Sequence, residues 1–429
     1  MVAGRLGRLA RFDALAAVAV LWFLGKFVRY ALPPLFGTID ETYGVSRAAL
    51  GGVFTAFMLV YALTQFPSGL LADRFGSVRV LAAGALVAAA GALALVVDSP
   101  FLVLVGAVAL MGLGTGTYKT VSVELLARAY PARRGRTLGI FDTFGTFGGV
   151  AAPAVVVAVT ALPPVLGAPW RTLFLLAGIA TVGLAGVVVA RVPPRLSGPD
   201  AAPAVTDGDD ASDGSSTANP DGSSAADQGD RPDPGSLRTY LDLFRDVRFS
   251  AFVAVTVCFG FAYNGAVAFL PLYLTNETAL SASTANLLFS ALFVVSLVQL
   301  VSGEASDRAG ALPVLAASLG VATAGFAAVL AFSSTGGPLT LGAAVVALGL
   351  GAHAYRPVRG AYLMAILPDD VAGGGLGAVR TLLMGAGAVG PAVVGYVSEA
   401  VGFRSAFGLL AAALAAALAL TLVLWALER

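Results

Sequence analysis

Long apolar runs alternate with short polar loops along this chain of 429 residues. Because a helix rises about 1.5 Å per residue, about 20 mostly apolar residues cross the roughly 30 Å of bilayer hydrocarbon. The first set of runs covers 13–36, 46–70, 78–97, 101–126, 137–161 and 171–192, and the second covers 249–274, 284–304, 311–333, 339–366, 374–398 and 404–426. The pattern therefore predicts an all-α membrane protein with twelve spans in two sets of six.

Composition supports the membrane class and argues against several others. Charged residues make up 12% of the chain and hydrophobic residues 58%, with a mean hydropathy of +0.85. A soluble domain carries about 25% charged residues, so much of this surface must contact lipid. The net charge of +1 argues against nucleic-acid binding, which needs a clustered basic face. A single cysteine and a single histidine argue against a metal centre, and without a phosphate-binding loop or nucleophile motif we predict neither an enzyme nor a cofactor.

A polar segment at 195–236 separates the two sets of spans. It is rich in aspartate, glycine, serine and proline, and predicts a disordered, acidic, cytoplasmic linker between bundles at 1–194 and 237–429. Arginines concentrate in the loops after the second and fourth spans, for example Arg74 and Arg133. By the positive-inside rule both termini face the cytoplasm. The composition favours the plasma membrane of a prokaryote, and we expect a monomer.

The two sets of spans repeat one sequence pattern. QFPSGLLADRFGSVRVL at 65–81 matches QLVSGEASDRAGALPVL at 299–315, which begins 234 residues later. GLGTGTYKTV at 112–121 matches GLGAHAYRPV at 349–358, which begins 237 residues later. Since the segments keep their order and nearly one offset, the halves are predicted to be parallel structural repeats.

The loop sequence GLLADRFGSVRVL resembles the loop motif that follows the second span in the major facilitator superfamily, and GEASDRAG resembles its second copy. The resemblance implies two pseudo-symmetric six-helix bundles that rock about a central cavity lined by spans 1, 4, 7 and 10. It also implies that the motif acts as a conformational latch, although Ser77 stands where a basic residue is usual. The gating candidates are Gly69, Asp73, Arg74, Gly76 and Arg79 in the first copy and Gly303, Asp307, Arg308 and Gly310 in the second.

Charged residues within the predicted spans indicate the substrate. A charge at the centre of a spanning helix costs on the order of 2.5–3.5 kcal/mol, so such residues usually serve a function. Six are basic and two are acidic: Lys26, Arg29, Lys119, Arg356, Arg359 and Arg380 against Glu124 and Asp142. The excess of positive charge predicts a cavity that binds an anion. Candidate substrate ligands are Lys26, Arg29, Tyr30, Tyr118, Lys119, Asn264, His353, Tyr355, Arg356 and Arg380, with Tyr263 as a further polar aromatic.

Helical spacing and the repeat suggest how these groups meet. Lys26 and Arg29 share a helix face, and the repeat places Lys119 opposite Arg356, which predicts a clamp for a carboxylate or phosphate. Several alternatives remain. Arg359 could extend to the interface and Lys26 could stabilise helix packing, while His353 could be a core residue, Glu124 could belong to a cytoplasmic network, and Arg380 could pair with Asp73.

The predicted function is secondary transport of a small organic anion, a carboxylate or phosphorylated metabolite, driven by protons that Glu124 or Asp142 carries. Basic residues in spans one and four resemble the anion:cation symporter branch of the superfamily. An alternative is a proton-coupled exporter of drugs or other hydrophobic compounds, which would place acids rather than cations in mid-membrane. A ligand-sensing membrane protein that signals through the linker is a further alternative.

Overall fold

The computed structural model describes residues 12–163, 166–196, 244–366 and 384–428. Within these ranges the helices that correspond to the predicted spans are α1 (Asp13–Tyr43), α2 (Arg47–Phe75), α3 (Ser77–Ala94), α4 (Phe101–Ala129), α5 (Arg134–Thr160), α6 (Pro169–Arg191), α7 (Val247–Glu277), α8 (Ala282–Ala309), α9 (Ala311–Ala331), α10 (Pro338–Ile366), α11 (Gly390–Ala400) and α12 (Phe403–Leu427). Short 3-10 turns interrupt α1 at Pro33–Leu35 and α8 at Val295–Leu297.

Eleven of these helices are long and apolar enough to cross a membrane, counted over the described ranges. The all-α prediction is confirmed, because the described part of the chain contains helices and no strand. Arg380, the beginning of the eleventh predicted span and most of the predicted linker lie outside the described residues.

The motif glycines end two equivalent helices. Gly76 follows α2 with a φ of 90°, and Gly310 follows α8 with a φ of 87°. Their amides donate to the carbonyl oxygens of Ala72 at 2.8 Å and Ser306 at 3.0 Å. A positive φ favours glycine because it has no Cβ. The sequence motif therefore marks a helix end and a tight turn in each half.

Helix packing repeats as the sequence does. A Cβ added to Gly114 in α4 would lie 2.3 Å from the Ala88 nitrogen in α3, and one added to Gly351 in α10 would lie 2.3 Å from the Ala322 nitrogen in α9. Such approaches leave no room for a side chain, so glycine is required at both crossings. The α3–α4 crossing of the first half is thus the α9–α10 crossing of the second, as expected for two pseudo-symmetric bundles.

The halves meet through α2 against α11 and through α5 against α8. At the first turn of α2, Arg47 donates to the carbonyl oxygen of Ser398 at 3.2 Å. The amide of Ala48 in the same turn donates to the Glu399 carboxylate at 3.2 Å. A carboxylate at a helix N-terminus is favourable because it faces unpaired amides and the positive end of the helix dipole. The halves are therefore joined by polar contacts on the face opposite the Gly76 and Gly310 loops.

Candidate functional site

A cavity of about 840 Å³ lies between the two halves. Small-molecule sites commonly enclose roughly 300–1,000 Å³, so the space suits a metabolite. Helices α1, α4, α7 and α10 all contribute to its wall, together with α2, α5 and α8. The side chain of Asp142, about two turns into α5, is 58% exposed. The cavity therefore opens toward the face that carries the Gly76 and Gly310 loops.

Two cations of α1 face this cavity. Lys26 and Arg29 both line it, as their spacing of three residues predicts. Arg29 is 7% exposed, and its guanidinium lies 5.3 Å from the Tyr30 ring centre and 5.4 Å from that of Tyr61. The Lys26 ammonium lies 4.9 Å from the Trp22 ring centre. These are cation–π contacts, and no described carboxylate forms an ion pair with either residue.

Arg356 of α10 reaches the cavity from the other half. Its guanidinium lies 4.5 Å from the ring centre of Tyr263. It also lies close to the Tyr30 hydroxyl, across the boundary between the halves. The Tyr30 ring packs at 4.4 Å against Phe293 of α8, which fixes its direction. We call Lys26, Arg29, Tyr30 and Arg356 the Tyr30 cluster.

A second charged group combines Lys119 of α4 and Asp142 of α5. The two side chains form an ion pair, and both line the cavity. The Lys119 ammonium also lies 5.4 Å from the Phe141 ring centre. The positive charge of Lys119 is therefore balanced by an acid from its own half.

The cavity is strongly positive. Its described wall carries one acid, Asp142, against Lys26, Arg29, Lys119, Arg356 and Arg359. Lys26 is close enough to Arg29 and Arg356 for their charges to repel one another. Charges held out of bulk water are costly unless they are paired. An anion bound at this place would relieve the repulsion.

Asn264, another expected ligand, also lines the cavity. Its Nδ2 donates to the carbonyl oxygen of Gly387 at 3.1 Å. A Cβ added to Gly387 would lie 3.0 Å from the Gly260 carbonyl carbon. Asn264 therefore ties α7 to the segment before α11 at a close crossing.

Three expected ligands lie in the helix walls, not among the residues that line the cavity. Tyr118 is 1% exposed, and a Cβ added to Gly25 would lie 2.8 Å from its ring. His353 is 2% exposed and packs edge-on against Phe293 at 6.0 Å. Tyr355 is fully buried, with its ring 4.2 Å from that of Phe259. The structure thus places all three behind the surface that a solute would touch.

Glu124 also lies away from the cavity wall. It is 3.6 Å from Arg128, one turn later on α4, and it accepts a 3.5 Å hydrogen bond from Ser77 at the beginning of α3. This arrangement matches the alternative of a network near the loop face.

The gating candidates lie on that loop face. Asp73, Arg74 and Arg79 are exposed, and Arg308 forms an ion pair within its own helix with Glu304. A Cβ added to Gly69 would lie 3.8 Å from Thr120, an ordinary contact. Close helix packing therefore does not require glycine at position 69. At Gly303 an added Cβ would meet nothing within 4 Å, and Asp307 lies beside Arg308 at the end of α8.

Sequence reasoning missed the aromatic residues that hold the cations. Trp22, Tyr61 and Phe293 all line the cavity, and each contacts a member of the Tyr30 cluster. Trp22 precedes Lys26 by four residues and so shares its helix face. That spacing was the available signal for Trp22. Nothing local in the sequence connects Tyr61 or Phe293 to α1.

Two relatives resemble this chain over part of their length. A probable sulfoacetate transporter, SauU, of Cupriavidus necator is 28% identical over 174 residues, which cover 40% of this chain and 39% of the relative. A multidrug resistance protein B homolog of Mycobacterium tuberculosis is 30% identical over 173 residues, 37% of this chain and 29% of that protein. These alignments span well under half of either relative.

A solved structure and a family model extend the comparison to nearly the whole chain. A bacterial homolog of the human lysosomal transporter Spinster, in an inward-facing and occupied conformation, superposes with a TM-score of 0.74 and 17% identity over 96% of both chains. At that identity the likeness establishes the fold alone. The sequence model of the Major Facilitator Superfamily matches residues 18–298 and 252–429. The chain therefore belongs to the Major Facilitator Superfamily, a family of membrane transporters.

Proposed function

We propose that this transporter moves a small organic anion, a carboxylate or phosphorylated metabolite, by proton-coupled alternating access. The observation that carries the proposal is the pair Arg29 and Arg356. One comes from each half, both line one cavity, and no described carboxylate pairs with either. Arginine presents a planar fork of donors that fits a carboxylate or phosphate with two hydrogen bonds. An anion held between them would join the two halves.

Asp142 is the proposed proton carrier. Its carboxylate forms an ion pair with Lys119 in the cavity and is exposed to water there. When Asp142 takes up a proton, its carboxylate no longer competes for Lys119, and the ammonium becomes available to an anion. Proton uptake and anion binding therefore support each other. Glu124 is less suited to this role because its carboxylate lies beside Arg128 and outside the cavity wall.

The cavity opens on one face of the protein, and this indicates which state of the alternating-access cycle the structure represents. The cavity is closed at the face of Arg47 and Glu399 and open at the loop face. The positive-inside rule assigns the loop face to the cytoplasm, with both termini there. On this assignment the transporter faces inward in a prokaryotic plasma membrane. We propose that it works as a monomer, since each chain contains both halves of the cavity.

The named relatives include a probable sulfoacetate transporter and a multidrug resistance protein homolog, so the test must separate anion transport from drug export. Purified transporter in proteoliposomes would be assayed with labelled carboxylates and phosphate esters, with and without an imposed pH gradient. We expect saturable uptake of at least one anion, accelerated when the outside is acidic. Gradient-driven efflux of lipophilic dyes without any anion uptake would overturn the proposal and support an exporter.

A further inference from the structure

The charges of the cavity divide into a neutral pair and an unbalanced group. Lys119 and Asp142 neutralise each other. Four cations of the wall then remain: Arg359 of α10, and Lys26, Arg29 and Arg356, which belong to the Tyr30 cluster. No described carboxylate pairs with any of the three in the cluster. They lie near enough to one another that Lys26 feels the repulsion of both arginines. The cluster therefore holds three positive charges at one place.

Aromatic rings keep these cations in the wall without neutralising them. Trp22, Tyr61 and Tyr263 offer ring faces at 4.9, 5.4 and 4.5 Å to Lys26, Arg29 and Arg356 respectively. A ring contributes attraction through its quadrupole but carries no net charge. The three charges consequently remain available to a ligand. A ligand with one negative charge would leave two of them unbalanced, and a ligand with two would leave one.

The positions of the cations divide the site into two ends. Lys26 and Arg29 are one turn apart on α1, in the first half. Arg356 lies on α10, in the second half. The Tyr30 hydroxyl, which also comes from α1, lies beside Arg356. The phenol oxygen therefore occupies the place where an acidic group of a ligand would bind Arg356 through charge-assisted hydrogen bonds.

We infer that the substrate is a short dianion with an acidic group at each end. This inference rests on the proposed function. One group binds Lys26 and Arg29, and the other displaces the Tyr30 hydroxyl from Arg356. A carboxylate, sulfonate or phosphonate at either end satisfies the same chemistry. Binding at both ends connects the first half to the second, so the dianion favours approach of the two bundles in a way that a monoanion does not.

Matched ligands test the charge count. Succinate and succinamate have nearly the same size but differ by one negative charge, and sulfoacetate can be compared in the same way with its carboxamide. Binding to the purified full chain would be measured by titration calorimetry at one pH. We expect at least one dianion to bind roughly 10-fold or more tightly than its amide, the effect of one charge-assisted hydrogen bond. Equal affinities in both pairs would overturn the inference.

Two variants test which residues bind each end of the dianion. Arg356→Gln should remove most of the dianion's advantage while the amide still binds Lys26 and Arg29. Tyr30→Phe removes the competing hydroxyl and should tighten dianion binding by roughly 2–10-fold. Weaker binding of dianion and amide alike in Tyr30→Phe would show that the hydroxyl is itself a ligand, and would overturn the displacement step.

A control variant and the uptake assay keep the two proposals distinguishable. Arg404→Gln changes an exposed arginine whose contact is the Leu330 carbonyl oxygen at 3.4 Å, so it should leave the ratio of affinities unchanged. If monoanions are transported while dianions have no advantage, the dianion inference fails and the proposed function stands. If no anion binds or crosses, both fail.

Discussion

Lys119 and Arg356 occupy equivalent positions in the two halves, 237 residues apart, yet they have different partners. Lys119 pairs with Asp142 from its own half. Arg356 lies over Tyr263 and reaches across to the Tyr30 hydroxyl of the other half. One cation is thus balanced within a single bundle, and the other is directed at the boundary between bundles.

The difference shows which features a structural repeat preserves. Backbone crossings are retained, because glycines at 114 and 351 sit against equivalent helices at the same distance. Side-chain partners are not retained, since a change of partner leaves the helix packing intact. Equivalent positions can therefore acquire separate tasks. Here we expect the Lys119–Asp142 pair to bind and release the proton and Arg356 to bind the substrate.

The largest effect should come from Arg356. Arg356→Gln removes the cation that the second half contributes to the Tyr30 cluster, and initial anion uptake into proteoliposomes should fall by at least about 10-fold. Arg356→Lys should recover only part of the rate, because an ammonium lacks the two-donor fork. Arg404→Gln is the matched control. Uptake that survives in Arg356→Gln would place the substrate entirely on the first half.

The next effect concerns the coupling of protons to transport. Asp142→Asn leaves Lys119 without a titratable partner, so an imposed pH gradient should change uptake by less than about 2-fold. Exchange of labelled for unlabelled substrate, which needs no net proton movement, should continue. The two assays on the same vesicles check this separation. Full gradient-driven uptake in Asp142→Asn would assign the proton to another group.

A smaller effect tests whether Lys119 and Asp142 act as one unit. Lys119→Gln leaves Asp142 as an unpaired acid in the cavity, and uptake should fall by roughly 3–10-fold through repulsion of the anion. Adding Asp142→Asn restores the neutral charge of the pair and should recover part of that loss. A double-mutant cycle on uptake rates measures this coupling. Strictly additive losses would contradict a functional pair.

The smallest effect is expected at Tyr118, next to Lys119. Its hydroxyl is buried with no hydrogen-bond partner among the described residues, and it lies away from the cavity wall. Tyr118→Phe should therefore change uptake by less than about 2-fold and alter stability by within about 1 kcal/mol. Thermal unfolding in detergent and uptake would be measured together. A large loss of uptake would return Tyr118 to the list of substrate ligands.

Much of the architecture follows from the sequence alone. The length of the apolar runs gives the spans, since bilayer thickness fixes helix length. The repeated motifs give the two halves. The cost of a charge in lipid marks Lys26, Arg29 and Arg356 as candidate functional residues. These features are local or periodic, and each can be recognised without knowing which helices touch.

Tertiary structure decided which side chains contact one another and which of them point into the cavity. Successive residues of a helix point about 100° apart, so Lys119 faces the cavity while neighbouring Tyr118 packs against Gly25. Because these helices are apolar on nearly every side, the sequence contains no polar stripe that identifies the cavity face. The Lys119–Asp142 pair joins two successive helices, and the contact of Tyr30 with Arg356 joins helices from opposite halves. Only the packing of the bundles brings those groups together.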